Sequence, residues 1–459
     1  MLRQNCVSLL ESFAQTLGVL SPLGTISVII PLLIASAGNG TWLLLLIVLC
    51  TSFFVMAVVL RFASLHSSAG SLAAFAGLGL GSRVGILCGW IYVLGMLCCV
   101  SSASLASAAY LDLLLEPAFG AAHAAGRSEL AAVVFIAGAW LAAHRSVTLS
   151  TRLMLAIESV ALLVIFILLL TSVVNAHAWM DHAQRQLTGV HFSGLQGGLV
   201  LAFMLIGGFE GATSLGEESL NPRSIIPRAI IRTMVPLTVL YLFVTYSMVS
   251  LQNRGIIPGA VNGLMVPFAS LARGIGARWL APITSLLVAM SFFACTLASL
   301  TIGARVLFAM GRDGPWWRSF GKAHPLYGTP HRAIALLALC AMLIALSLAM
   351  TRADFSVGFD FVTQLGSLGI LAAYLLVAVA LPFYLGRRRC LSRKDAVVSG
   401  VAAALIGLVL VLSVYPPPAA PISYVPYTFF GSVAVCLSAS TFIRSRRSAG
   451  RGAPAARRS

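Results

Sequence analysis

Gly207-Gly208-Phe209-Glu210-Gly211, followed by Glu217-Glu218-Ser219-Leu220-Asn221-Pro222-Arg223, decides how this chain folds. The first stretch sets three glycines and a carboxylate into an otherwise apolar run. Each glycine weakens a helix by roughly 1 kcal/mol relative to alanine. A carboxylate at mid-bilayer costs about 2.5–3.5 kcal/mol even on a lenient insertion scale. A segment built only to cross a membrane would carry neither. Together they read as a broken helix lining a polar cavity, which exposes backbone groups to a solute inside a membrane.

The composition supports a membrane setting. Of 459 residues, 59% are hydrophobic and 9% charged, whereas soluble domains carry about 25% charged residues. The length allows about a dozen helices of ~20 apolar residues each. The formal net charge of +17 raises nucleic acid or acidic lipid as partners, but its distribution points to topology instead. The nine cysteines lie mainly in apolar runs without a CxxC pair, which argues against a disulfide or zinc framework. No cleavable leader stands out, so the first span is expected to be retained.

We expect an all-α polytopic fold with twelve transmembrane helices over 12–36, 40–62, 83–114, 129–145, 153–175, 195–217, 229–251, 279–311, 332–351, 358–386, 396–415 and 425–444. With both termini cytoplasmic, 24 Lys and Arg fall inside and six outside, as the positive-inside rule requires. Arg127, Arg185, Arg254, Arg273, Arg278 and Arg352 are the outside six. Residues 445–459 form a basic tail expected to be disordered near anionic headgroups.

A second break occurs at Gly18-Val19-Leu20-Ser21-Pro22-Leu23-Gly24-Thr25 in the first span. Proline removes a backbone donor and clashes with the preceding turn. The breaks lie five spans apart, so the second unit enters from the opposite side. This is the pattern of a 5+5 inverted repeat with broken helices 1 and 6. The expected layout is a cytoplasmic N-terminus (1–11), a first five-helix repeat (12–190), a second (191–386), and helices 11 and 12 (387–444) ahead of the tail.

At these residues the chain resembles the amino acid–polyamine–organocation (APC) superfamily. Four segments carry the resemblance: Gly207–Ala212; Gly216–Ile230, with its acidic-Asn-Pro…Ile-Pro-Arg-Ala pattern; Ala304–Gly314; and Gly328–Ala333. The resemblance implies ten core helices in two inverted repeats, two further helices, and transport of amino acids or related amines. The chain departs from relatives with a Gly-Ser-Gly type break in span one, having Leu20-Ser21-Pro22-Leu23-Gly24-Thr25 instead.

A zwitterionic amino acid needs partners for its carboxylate and its ammonium. Free N–H groups at a half-helix start suit the carboxylate, which places Ser21, Pro22, Leu23, Gly24 and Thr25 at the substrate. The ammonium would meet carbonyls of residues 18–20 and 206–208, bringing in Gly207 and Gly208. Met204, Phe209 and Ser102 are candidates for the pocket wall. Glu210 has two readings, a proton carrier or a hydrogen-bonding brace for the break. Glu158 is either a proton carrier or an acid paired with Arg152 or Arg145. Thr296 and Ser299 line the pocket or a cation site, or bond their own helix. Glu217, Glu218, Arg223 and Arg305 are expected to lock a cytoplasmic gate within a polar loop over 217–232. Glu11 is expected at the cytoplasmic surface.

His177, His182, His191 and Asp181 match no compact metal motif, and no catalytic motif occurs in context. No cofactor, metal or enzymatic activity is expected. Asn39-Gly40-Thr41 is a glycosylation sequon set tight against the membrane. The reading is a multi-pass transporter of the cell membrane, importing amino acids or amines by alternating access, with protons favoured over sodium as the coupling ion. An exchanger and a non-transporting receptor on the same fold are the alternatives.

Overall fold

A computed structural model describes residues 2–119, 124–257, 267–313, 318–351, 355–415, 420–435 and 438. The basic tail and the end of the twelfth expected span lie outside these residues. The described residues are helical: α1 (Leu9–Leu20), α2 (Pro22–Ala37), α3 (Thr41–Leu65), α4 (Ser71–Leu80), α5 (Ser82–Phe119), α6 (Ala124–Arg145), α7 (Val147–Asn175), α8 (His182–Arg185), α9 (Phe192–Phe203), α10 (Pro222–Asn253), α11 (Pro267–Gly274), α12 (Leu280–Asp313), α13 (His331–Thr351), α14 (Phe355–Arg387) and α15 (Arg393–Val414). A further apolar helix covers Ile422–Val435. Among the described residues, eight stretches are long and apolar enough to cross a membrane, the first running through α1, α2 and α3 as Leu9–Leu65. This is a polytopic membrane protein.

Local chemistry sets the ends. Ser8 caps α1, accepting the Leu10 N–H at 3.1 Å, and Glu11 returns a bond from the Ser8 N–H at 3.0 Å. Glu11 is thereby buried rather than displayed at the surface. Pro22 and Pro222 occupy first-turn positions of α2 and α10, where a missing N–H is harmless. Consequently α10 starts at Pro222, and most of the expected 217–232 loop is helix. The sequence reading also missed α4, α8 and α11, which are too short to give a span signal. Asn39 is engaged by Asn253 and by the Thr188 carbonyl, each at 2.8 Å, so its amide is structural.

α12 runs through the middle, packed against α5, α7, α6 and α1. α7, α13 and α15 turn large apolar side chains outward, including Leu163, Ile167, Leu343 and Val411, a surface that lipid covers. Without a hydrophobic drive between helices in lipid, close approach depends on small residues. α4 meets α14 at Gly79, where an added Cβ would lie 2.2 Å from the Ala380 carbonyl oxygen.

Because both sides of that contact are backbone, neither can yield. Gly79→Val should destabilise the bundle by at least the ~1–3 kcal/mol typical of overpacking. The check is thermal unfolding and monodispersity in detergent, and an unchanged unfolding temperature would refute the contact.

Candidate functional site

The two breaks meet inside the bundle. At the first, Ser21 adopts a left-handed conformation (φ 41°) between α1 and α2, with its N–H still bonded to the Leu17 carbonyl at 3.0 Å. Pro22 has no N–H, so the Gly18 carbonyl loses its usual i+4 donor. The Ser21 carbonyl accepts both the Thr25 N–H and the Thr25 hydroxyl at 2.9 Å. Tyr241 lies 3.3 Å from the same hydroxyl.

At the second break, α9 stops at Phe203 and a run of turns leads to Gly208 (φ 93°), after which Phe209–Leu215 continues as 3-10 helix. Positive φ at Gly208 is natural for glycine alone. An added Cβ there would sit 2.8 Å from Val19 of the first break, and one on Gly211 would lie 3.2 Å from the same side chain. The breaks are therefore in direct contact.

Side chains from other helices tie them down. Ser291 of α12 lies 2.9 Å from the Ser21 hydroxyl, accepts the Gly24 N–H at 3.2 Å and donates to Glu158 Oε1 at 2.7 Å. Glu158, on α7, is wholly buried and its Oε2 has no hydrogen-bond partner. Arg152 pairs with Glu11 instead, at 3.6 Å, which removes the reading of Glu158 as an acid paired with that arginine. On the other side, Glu210 is wholly buried and accepts hydroxyl bonds from Tyr92 of α5 and Tyr374 of α14. The Tyr374 oxygen also accepts the Gly208 N–H at 3.0 Å, and its ring stacks on Phe209 with centroids 5.4 Å apart.

One expectation needs correction. The Gly24 and Thr25 N–H groups are not free, being bonded to Ser291 and to the Ser21 carbonyl. Thr296 bonds its own helix at Phe292, 3.0 Å away, and Ser102 bonds Cys99 at 3.4 Å. Ser299 is buried 3.8 Å from the Cys295 thiol, which reaches the Val19 carbonyl at 3.2 Å. Pro22 and Leu23 are buried within the first turn of α2, and Met204 and Gly207 lie in the turns of the second break. Sequence reasoning missed Tyr92, Ser291, Cys295 and Tyr374. Their one signal was a lone polar group in an apolar run.

The end of the bundle that carries the N-terminus is closed by ionic and backbone contacts. Arg305 Nε meets Glu218 at 2.6 Å with both side chains buried, and Arg305 also donates to the Thr301 carbonyl at 3.0 Å. Glu217 pairs with Arg312 at 2.5 Å and accepts the Ala69 N–H at 3.1 Å. Burial pushes the Glu217 carboxyl up, but the Arg312 and Ala69 bonds outweigh it and hold the group below its ordinary 4.5. Arg223 is exposed and makes no ion pair among the described residues, whereas Arg312 pairs with Glu217. Across the pair lies an N-terminal arm, residues 2–8. Cys6 and Val7 donate N–H bonds to the Glu218 carbonyl at 2.9 and 3.0 Å, and Leu220 donates to Val7 at 3.1 Å.

With this geometry, similarity to known proteins becomes informative. The profile of the amino acid permease family matches residues 7–438. The chain belongs to that family. This permease is 26% identical over 360 residues to the branched-chain amino acid permease BcaP of Bacillus subtilis (strain 168), covering 75% of this chain and 73% of that protein. It is 26% identical over 386 residues to the methylthioribose transporter of the same bacterium, covering 81% and 80%. A third relative, the amino-acid permease BAT1 of Arabidopsis thaliana, is 28% identical over 165 residues, covering 33% and 30%. These relatives are transporters or permeases and the family is one of permeases, not enzymes.

Removing the Tyr374 hydroxyl strands the Gly208 N–H and takes one bond from Glu210. Tyr374→Phe in this permease should cost about 1–3 kcal/mol, the usual penalty for an orphaned buried donor. Gly208→Ala should add strain of about 1–2 kcal/mol from its left-handed backbone to the Val19 clash. Thermal unfolding in detergent reads both, and wild-type stability in either variant would show that the break is held by something else.

Proposed function

We propose that this permease is a proton-coupled secondary transporter that carries small neutral amino acids with apolar side chains. In this reading the fold is the twelve-helix, 5+5 inverted repeat, divided at 12–190 and 191–386, with helices 11 and 12 and the basic tail following. Helix 1 is α1 with α2, and helix 6 is α9 with the 3-10 segment. Both termini are cytoplasmic, which follows from the 24-to-6 division of basic residues. The Arg305–Glu218 pair and the N-terminal arm then form a closed cytoplasmic gate.

The observation that carries the proposal is the contact chain Glu158–Ser291–Ser21/Gly24. A hydroxyl has one proton and two lone pairs. With Glu158 ionised, Ser291 donates to it and receives the Ser21 hydroxyl and the Gly24 N–H. With a proton on Oε1, Glu158 donates to Ser291, and the Ser291 proton turns to Ser21. The Ser21 hydroxyl proton is then released toward the break, where it meets the substrate carboxylate. One proton at Glu158 thus re-aims a donor at the substrate without new charge on the binding groups. Binding also requires the Gly24 N–H to leave Ser291, so substrate and closure compete for one donor.

The substrate class rests on what surrounds the breaks. Val19, Phe209 and Phe292 are apolar, and Phe292 lies against Gly24. Glu158 and Glu210 are wholly buried and held by hydroxyls, so a cationic side chain would find no exposed partner there. The name of the Bacillus branched-chain permease fits this class.

Reconstituted vesicles with an imposed proton gradient test the reading, using labelled leucine, arginine, putrescine and methylthioribose. Leucine should accumulate, and Glu158→Gln should reduce concentrative uptake at least ~10-fold, equivalent to about 1.4 kcal/mol, while gradient-free exchange of labelled leucine persists. Full gradient-driven accumulation by Glu158→Gln would remove Glu158 as the carrier. Uptake that ignores pH but needs internal amino acid would replace symport with exchange.

A further inference from the structure

Three histidines cluster at the closed end, away from the breaks. His144 lies in the last turn of α6, His331 begins α13, and His324 sits just before the turn that precedes it. Their ring centroids lie 5.2 Å (His144–His324), 5.2 Å (His324–His331) and 6.2 Å (His144–His331) apart. Tyr327 and Trp140 complete the cluster, each ring within 6.0 Å of His144.

His324 is held as a neutral imidazole. His324 Nδ1 accepts the N–H groups of Leu326 and Tyr327, both at 3.2 Å, and an atom accepting two such bonds holds no proton. Nδ1 of His144 and of His331 is buried without a partner. The other ionisable groups at the cluster are the Tyr327 phenol, Arg332 and Arg145 next in sequence, and Arg3 of the N-terminal arm. None of the three histidines ion-pairs with Asp or Glu among the described residues. Protonation would therefore set like charges 5–6 Å apart beside arginines with no anion to offset them.

The histidine turn also holds the arm. It is closed by bonds from His324 N–H to the Thr329 carbonyl (2.8 Å) and from Gly328 N–H to the His324 carbonyl (2.9 Å). It is docked to α6 by the Thr329 hydroxyl on the His144 carbonyl, 2.8 Å away. Gly328, at φ 64°, lies against the Arg3 backbone, where an added Cβ would be 3.1 Å from the Arg3 nitrogen. Leu2 is buried with Ala69, Phe308 and Ala309, and Ala323 from the segment leading into the turn packs on the same group. A few residues on, the arm bonds Glu218, the partner of Arg305.

We propose that the His144–His324–His331 cluster is a proton-responsive clasp: acid on its side of the membrane loosens the 324–330 turn, frees the N-terminal arm from Glu218 and Leu220, and favours opening of that end. The clasp rests on the proposed orientation only for the compartment it senses, the cytoplasm. It is separate from the coupling proton, because it lies on different helices from Glu158 and acts through the arm. The Glu217–Arg312 pair cannot supply the same response. Its carboxyl is held below 4.5, so its contribution is present above that value and is lost only as pH falls through the lowered one. At the gate, Glu11 accepts the Ser8 N–H of the arm, and His66 is a competing imidazole. Burial first, then Arg223 and Arg388, pull it below the usual imidazole range.

Hydrogen exchange of the purified full-length protein in nanodiscs reads the arm directly. After correction for intrinsic pH dependence, the Cys6 and Val7 amides should exchange at least ~10-fold faster at about pH 5.5 than at about pH 7.5, since each unit of pKa difference between clasped and released states is tenfold. Double replacement His144→Gln/His331→Asn should flatten that response, and the single variants should halve it if the pair fails to fold. His66→Asn should leave it in place. The response should also survive Glu158→Gln, so failure of the symport reading and failure of the clasp give different results. Equal corrected exchange at both pH values in the wild type, or a full response in the histidine variants, overturns the proposal.

Discussion

In lipid, every backbone N–H and C=O must find a partner inside the protein, and two interrupted helices put that requirement under strain at one place. Side chains of four other helices gather there, Ser291 and Tyr374 on backbone N–H groups and Tyr92 and Glu158 behind them. Tyr92 on α5, Glu158 on α7, Ser291 on α12 and Tyr374 on α14 converge on residues 18–25 and 207–211. Much else in the architecture serves this convergence. α12 is buried centrally because it must reach both breaks, and Val19 locks the two together against Gly208 and Gly211.

The two buried carboxylates are held differently, and the difference bears on what each can do. Glu210 is bonded through both oxygens to tyrosines, one of which also holds the Gly208 N–H. That is the arrangement of a brace, since losing it would loosen the break itself. Glu158 is bonded through one oxygen only, to a serine that contacts the other break. A proton there changes one hydroxyl's direction and leaves the backbone path intact. The contrast assigns the bracing and proton-carrying readings to separate residues under the proposed function.

The closed end combines interactions of different character. The buried Arg305–Glu218 pair has a desolvation cost that offsets much of its attraction, yet breaking it leaves an uncompensated charge, worth about 3–5 kcal/mol. Such a pair resists opening more than it stabilises the fold. The arm adds backbone bonds to the same glutamate, and the turn carrying His324 supports the arm. Under the proposed function, release proceeds in steps, with the weaker peripheral contacts yielding before the buried ion pair.

Class, breaks and ancestry were legible from residues alone. Apolar runs sparse in charge specify membrane helices, and proline or clustered glycine interrupts a helix whatever surrounds it, because the effect lies in the backbone of those residues. Position 21 and position 208 were therefore visible in the sequence, as was an acidic pair after the second break. What each acid touches was not visible. Glu158 contacts Ser291 rather than Arg152, Arg312 rather than Arg223 meets Glu217, and the N–H groups of Gly24 and Thr25 proved occupied, because each outcome depends on residues 95 or more positions apart in sequence or on a turn's direction. The arm on Glu218 and the histidine cluster are of the same kind. A local sequence fixes where a helix must stop, but only the packed bundle decides which distant side chain supplies the missing hydrogen bond.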